Sequence, residues 1–279
     1  MYELPEIVTL ARQIGDELTG ARITSCERGN SPHKWVWYSY EPEEYERICV
    51  GRTIGAVEAH GNRVACRVEP GYVLQMGDMG GKMLLHADET TIPKKRHFML
   101  GLEDGRFFTI TVAGWGGIWL LADGEPVPYY GERPRAAVMG DEFTYERFKE
   151  LLDADAARGK RSVKAFLASE SPLDGIGNGY VQDICFNAGL HPKRDLTGLT
   201  GRERQRFYNA IRKTLATAIE QGGRDTEFDL HGQPGSYVAT LDKRANGQPC
   251  PECGTSIEKI SYLGGSCYFC PSCQPLTPG

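Results

Sequence analysis

The sequence predicts an α+β protein in two parts, a β-sandwich entered through one leading helix and a helical second part closed by a cysteine-rich ending. Three observations carry this reading. Residues 4–18, LPEIVTLARQIGDEL, place Ile7, Leu10, Ile14 and Leu18 at helical spacing. Residues 21–121 break into short runs of β-branched and aromatic residues punctuated by glycine. After residue 142 the helical period returns and holds until two CxxC pairs appear inside the last thirty residues.

In order along the chain, the first helix has Pro5 in its first turn, where a missing N–H costs least, and Glu3 and Glu6 at the end that favours negative charge. The dipole alone would account for both acids. Glu103-Asp104-Gly105-Arg106 lies between two apolar runs and reads as a hairpin turn. These features make residues 1–125 one β-rich domain. Residues 126–141 are rich in Pro and Gly and suit a linker. Residues 142–235 hold four helical segments, the last opened by a Thr200-x-x-Glu203 capping box and ended by Gly222-Gly223. Residues 236–279 contain the cysteine module.

The 279 residues exceed one small core and fit two domains. A content of 40% hydrophobic and 25% charged residues is ordinary for a globular protein. No apolar run approaches the roughly 18 residues of a membrane span, and acids stand where a signal peptide would be basic, so a cytosolic location is expected. The net charge of −5 does not suggest a nucleic-acid partner. The halves differ, however: residues 1–158 carry 18 Lys and Arg against 25 acids, and residues 159–279 carry 14 against 12. Charge alone therefore does not select DNA.

Cys250-Pro-Glu-Cys253 and Cys270-Pro-Ser-Cys273, sixteen residues apart, are two knuckles of one form with Gly264-Gly265 between them. In a reducing compartment this spacing calls for a closed, tetrahedral four-thiolate zinc site, structural rather than catalytic. Cys267, at CxxC distance from Cys270, is a fifth candidate ligand, while Cys26, Cys49, Cys66 and Cys185 read as buried thiols. Gly175-Ile176-Gly177-Asn178 before a helix can hold a phosphate on backbone N–H groups, with Lys164 able to reach the same strand; a tight turn between helices would need the glycines anyway. Ser31-Pro32-His33-Lys34-Trp35-Val36-Trp37-Tyr38 reads first as half-buried strand aromatics, and second as a base-stacking surface with His33 as an acid-base candidate.

Together ELPEI at the start, the β-rich first half, GIGN..Y, FNAGLHP and the CPxC...CPxCQ ending resemble the formamidopyrimidine-DNA glycosylase and endonuclease VIII family over essentially the whole chain. The resemblance implies a helix-two-turn-helix domain ending in a zinc ribbon, and a monomer acting on double-stranded DNA that contains a damaged or modified base or an abasic site. It implies base excision repair in a bacterial-type, DNA-associated cytoplasmic protein. In that family an N-terminal proline amine attacks the sugar C1′, the base leaves, and elimination nicks the strand. Carried over, Glu3 matches the acid that protonates the opening sugar and Glu6 the second glutamate. Lys164, Gly177 and Asn178 match phosphate contacts, and Cys250, Cys253, Cys270 and Cys273 match the zinc ligands.

The departures bear on activity. Tyr2 stands at the proline position, and a bulky second residue protects Met1 from removal, so the free α-amine is expected on Met1 or on an exposed Tyr2. Asn62 or Arg63 stands near the hairpin lysine, Asp78 at the intercalating methionine with Met76 or Met79 as substitutes, and Gly264 or Gly265 at the zinc-hairpin arginine. Trp115, in a glycine-rich turn, is the candidate wedge, or else a core aromatic. The expected function is a damaged-base DNA glycosylase using Glu3, with the lyase step open; the alternative is a non-catalytic DNA lesion binder.

Overall fold

A computed structural model describes residues 1–31, 33–128 and 135–277. Pro32 and residues 129–134 of the expected linker lie outside the described residues. The chain divides into two compact units, Met1–Glu132 with Gln221–Tyr237, and Arg133–Glu220 with Val238–Gly279.

The first unit opens with α1 (Leu4–Leu18), which buries Ile7, Leu10, Ile14 and Leu18 as its periodicity requires. Strands β1 (Ile23–Glu27) and β2 (Val36–Tyr38) precede a short helix α2 (Pro42–Cys49) that the strand-like reading of residues 21–121 did not anticipate. Its proline sits in the first turn, and it buries Tyr45, Ile48 and Cys49. Then come β3 (Thr53–His60), β4 (Arg63–Glu69), β5 (Tyr72–Gly77), β6 (Gly80–His86), β7 (Phe98–Leu102), β8 (Phe107–Ala113) and β9 (Gly116–Ala122). They form a five-stranded sheet in the order β2-β9-β5-β4-β3 and a four-stranded sheet in the order β1-β7-β8-β6. Only β2 against β9 is parallel in these two sheets. One apolar core joins Val64, Leu74 and Ile118 of the first sheet to Met83, Phe98 and Phe108 of the second, which makes the expected sandwich. The β7–β8 turn is the expected hairpin, with Gly105 at φ 87° and the Asp104 carboxylate accepting from the Arg106 N–H at 3.0 Å.

Residues 221–237 pack with this first unit, so contacts do not draw the boundary at 235 that the sequence suggested. The physical reason is burial: Leu230 joins the sandwich core, and its carbonyl accepts from the Leu85 N–H at 2.9 Å.

The second unit holds the four expected helices, α3 (Tyr145–Ala156), α4 (Val163–Ala168), α5 (Asn178–Ala188) and α6 (Gly201–Glu220). Two short strands, β10 (Ala136–Ala137) and β11 (Leu173–Asp174), pair in parallel. The capping box before α6 is present: Thr200 N–H donates to Glu203 Oε2 at 2.7 Å and Glu203 N–H to Thr200 Oγ1 at 3.3 Å. The ending is an antiparallel hairpin of β12 (Glu258–Tyr262) and β13 (Gly265–Phe269). No described helix is long and apolar enough to cross a membrane.

Candidate functional site

The start of the chain is built into the first unit as a charged cluster. Glu3 caps α1 and Glu6 lies in its first turn; their side chains and backbone form a capping box, with Glu3 N–H donating to Glu6 Oε2 at 2.8 Å. Both residues are 3% exposed, a costly burial for carboxylates without a cation. Arg224 is that cation. Its Nε and backbone N–H donate to Glu6 Oε1 at 3.1 and 2.9 Å, and one Nη donates to Glu6 Oε2 at 3.0 Å; the other lies 3.5 Å from Glu3 Oε1. Glu6 thus spends its acceptor capacity on Arg224 and on the helix cap. Gly223 is required here: at φ 89°, a Cβ would stand 2.8 Å from Glu6 Cγ.

Tyr2 is corrected. Its side chain is wholly buried, its hydroxyl accepts from the Met83 N–H at 3.3 Å, and its backbone N–H donates to the Met79 carbonyl at 2.9 Å. Burial pushes the phenol well above its usual range. A core aromatic fixed at both ends offers no reactive group. Met1 instead reaches outward: its α-amine pairs with Glu227 Oε1 at 2.6 Å, and its carbonyl accepts from Arg224 at 2.7 Å. Met1 and Glu227 line an open pocket of about 530 Å³ with Gly80, Lys82, Trp115 and Phe228; Glu3 and Glu6 are not in its wall. Lys82 Nζ sits 3.9 Å from the centre of the Phe228 ring.

The β3–β4 turn brings Asn62 and Arg63 to the end of β5. Arg63 is only 8% exposed and folds against Gly77, so it is not a surface contact for DNA. Asn62 Nδ2 donates to Asp78 Oδ1, and Asp78 N–H donates to the Asn62 carbonyl at 3.1 Å. Asp78 is therefore a turn residue at φ 52°, tied down instead of projecting. Met76 and Met79, at 1% and 0% exposure, cannot substitute as wedges. Trp115 at 53% exposure is no core aromatic, and it is the candidate that the fold leaves free to stack.

In the second unit Lys164 is corrected as a phosphate contact. It is 1% exposed, and its ammonium donates to the Tyr262 carbonyl at 2.6 Å, fastening α4 to the terminal hairpin. Gly177 caps α5 in extended conformation and Asn178 is exposed at the first turn, a placement that suits an anion. The hairpin leans on this turn: a Cβ on Gly265 would lie 2.8 Å from Asn178 Nδ2, which explains a glycine there.

The thiols of Cys250, Cys253, Cys270 and Cys273 lie within 4.8 Å of one another. The Cys250–Cys273 and Cys253–Cys270 sulfur separations are 3.8 and 3.5 Å, close to the edge of a tetrahedron built on Zn–S bonds of about 2.3 Å. The Thr255 hydroxyl holds the Cys253 thiol down at about 6, toward the thiolate a metal needs. Cys267 is buried in β13 outside the cluster, so the fifth candidate drops out. The four cysteines hold a structural Zn²⁺. Metal analysis should find one zinc per chain, and chelation should remove the hydrogen-exchange protection of the β12–β13 amides. Retained protection in zinc-free protein would overturn the structural role.

Arg224, Glu227 and Phe228 were missed by sequence reasoning. The visible signal was a charged run, RDTEFD, directly after the glycines that end α6, in a stretch taken only as a helix stop.

Comparison with known proteins places this geometry. The model of the formamidopyrimidine-DNA glycosylase N-terminal domain matches residues 1–111, that of the formamidopyrimidine-DNA glycosylase H2TH domain matches 139–229, and that of the zinc finger found in FPG and IleRS matches 247–276. A formamidopyrimidine-DNA glycosylase of Symbiobacterium thermophilum is 30% identical, over 100% of this chain and 91% of its own. One from Bacillus cereus is 29% identical over 99% of both chains. A solved complex of Lactococcus lactis Fpg with DNA containing an abasic site matches the fold at a TM-score of 0.86 and 24% identity, covering 98% of this chain and 99% of that one. The matched domains follow one another along the whole length with the four thiolates at the end, and the chain belongs to the formamidopyrimidine-DNA glycosylase family.

Proposed function

We propose that this protein is a base-excision DNA glycosylase that releases a damaged or modified base from DNA, with the α-amine of Met1 as its nucleophile and Glu3 as its carboxylic acid. The observation that carries the reading is the Met1 amine on the wall of an open pocket, 2.6 Å from Glu227. Tyr2 stands at the family proline's position and is buried, while Met1 beside it lines the cavity. Glu227 is placed to take a proton from that nitrogen. The nitrogen then attacks C1′ of the damaged nucleotide as the base leaves with its bonding pair and takes the proton held by Glu227; the attacking nitrogen gives one further proton to Glu227, and the Glu3 carboxylic acid protonates the ring oxygen as the sugar opens, leaving a protonated imine. Water hydrolyses the imine and frees the amine; elimination of the 3′ phosphate, with loss of a C2′ proton, would nick the strand. Relatives of this chain carry glycosylase names, and solved neighbours were captured on DNA with an abasic site or a damaged base.

One observation favours the second reading, a lesion binder without chemistry: Arg224 already pairs with Glu6 and approaches Glu3. Borohydride trapping on duplex DNA with a single abasic site decides, with the N-terminus established by intact mass. The expected result is a covalent adduct that maps to Met1 and is lost when the α-amine is blocked. Tight binding with no adduct would remove the amine from the mechanism.

A further inference from the structure

Two strands make the floor of the open pocket beside Met1. Gly80 and Lys82 of β6 stand across the antiparallel ladder from Ala113 and Thr111 of β8, and all four line the cavity. Strand alternation explains the choice of residues: Met83 faces the core at 0% exposure, so its neighbour Lys82 faces the pocket. Beside the α-amine the floor stays low because Gly80 has no side chain; a Cβ there would lie 2.7 Å from the Ala113 carbonyl oxygen and 3.9 Å from Met1 Cα. Of these four floor residues, Lys82 has the one long side chain.

The polar groups of the pocket are not equally engaged. Glu227 Oε1 accepts from the Met1 α-amine at 2.6 Å and lies 3.7 Å from an Arg224 Nη, so that carboxylate is committed. The hydroxyls of Thr111 and Thr226 both donate and accept, and therefore discriminate little between ligands. The Lys82 ammonium has neither a carboxylate nor a hydrogen-bond partner among the described residues. It rests on the face of the Phe228 ring, with Nζ 3.9 Å from the ring centre. That contact holds the charge in position and leaves its N–H donors unsatisfied.

We propose that Lys82 reads the edge of the base that enters this pocket, selecting lesions that present a carbonyl oxygen and rejecting those with an exocyclic amine in its place. A base taken out of the stack is recognised through hydrogen bonds to its edge. An ammonium carries three donors and no acceptor, so it satisfies a carbonyl oxygen and leaves a facing amino group unpaired. Guanine and thymine offer such oxygens where adenine and cytosine carry amino donors. A donor set against a donor leaves both without a partner, which makes the rejection stronger than the loss of one contact. The inference rests on the glycosylase reading for the entry of a nucleotide into the pocket, and adds the basis on which its base is chosen.

The experiment is an anisotropy titration on duplex DNA with the test nucleotide opposite an abasic site, so that pairing contributes nothing. The bases form two matched pairs, hypoxanthine with adenine and 5-hydroxyuracil with 5-hydroxycytosine, each on a 2′-fluorinated sugar whose glycosidic bond resists cleavage. A tetrahydrofuran abasic analogue is the base-free control. Wild type should favour the oxo member of each pair by about 10-fold. K82Q, whose amide both donates and accepts, should bring the members within about 2-fold and bind the control within about 3-fold of wild type; K82E should reverse the order. An unchanged order in both variants, or no preference in wild type, would overturn the proposal. So would an equal K82Q loss on every DNA with a salt slope lower by about 0.9, which would assign the lysine to a phosphate. Base release plays no part in these affinities, so a failed borohydride reaction would strike the glycosylase reading and leave this test intact.

Discussion

Glu3→Gln is expected to reduce single-turnover release of a formamidopyrimidine base by about 100-fold or more, with affinity for the tetrahydrofuran analogue unchanged within about 2-fold. The size follows from what the substitution removes. Glutamine keeps the shape of Glu3 and an acceptor oxygen for the capping box at the start of α1, so the fold loses little. It takes away the acid that delivers a proton to the opening sugar, and with it the carboxylate that Arg224, 3.5 Å away, meets once that proton has gone. At 3% exposure no solvent proton replaces it readily. Glu3 stands outside the pocket wall, so the reaction also requires Met1 or the pocket floor to shift when the nucleotide enters. That requirement sharpens the test: a variant within about 3-fold of wild type would reduce Glu3 to a helix cap. Trapping on a preformed abasic site should survive in E3Q, because the Met1 amine does not need base departure there.

The parts legible in the sequence are those written in short stretches. The four cysteines carry their geometry in two four-residue knuckles, and the hairpin between them follows from its glycines. The periodicity of α1 named the residues it buries, and Thr200 with Glu203 named the start of α6. Helix α2 was obscured because eight residues give barely two turns of period, inside a region dominated by strands. Lys164 and Arg63 were misjudged for a different reason: charge suggests a surface, but each is buried by packing against a hairpin or turn distant in sequence. Nothing local could have placed Arg224 on Glu6, 218 residues away, or Glu227 on the Met1 amine. Those contacts arise because a loop between helical and cysteine modules returns to the sandwich.

Arg224→Met should cost the first unit about 3–5 kcal/mol, since it leaves two buried carboxylates without their cation. Glu6 would lose three of its hydrogen bonds if the backbone N–H moved with the side chain, and two even if the loop held still. Lysine cannot rescue this position, because one ammonium cannot bridge both Glu6 oxygens and the Met1 carbonyl as a guanidinium does. The melting transition should fall by on the order of 10 °C. The same arginine anchors the peptide that carries the α-amine, so the borohydride adduct should fall further than the folded fraction does. A second variant separates charge from packing: adding Glu6→Gln to Arg224→Met neutralises one buried carboxylate and should recover part of the lost stability, a coupling of about 1–3 kcal/mol. Full additivity of the two losses, or a melting shift under about 2 °C for the single variant, would mean that Arg224 does not compensate the buried acids. Recovery of stability without recovery of the adduct would assign Arg224 to holding Met1 in place, which is the division of labour implied by its position between Glu6 and the Met1 carbonyl.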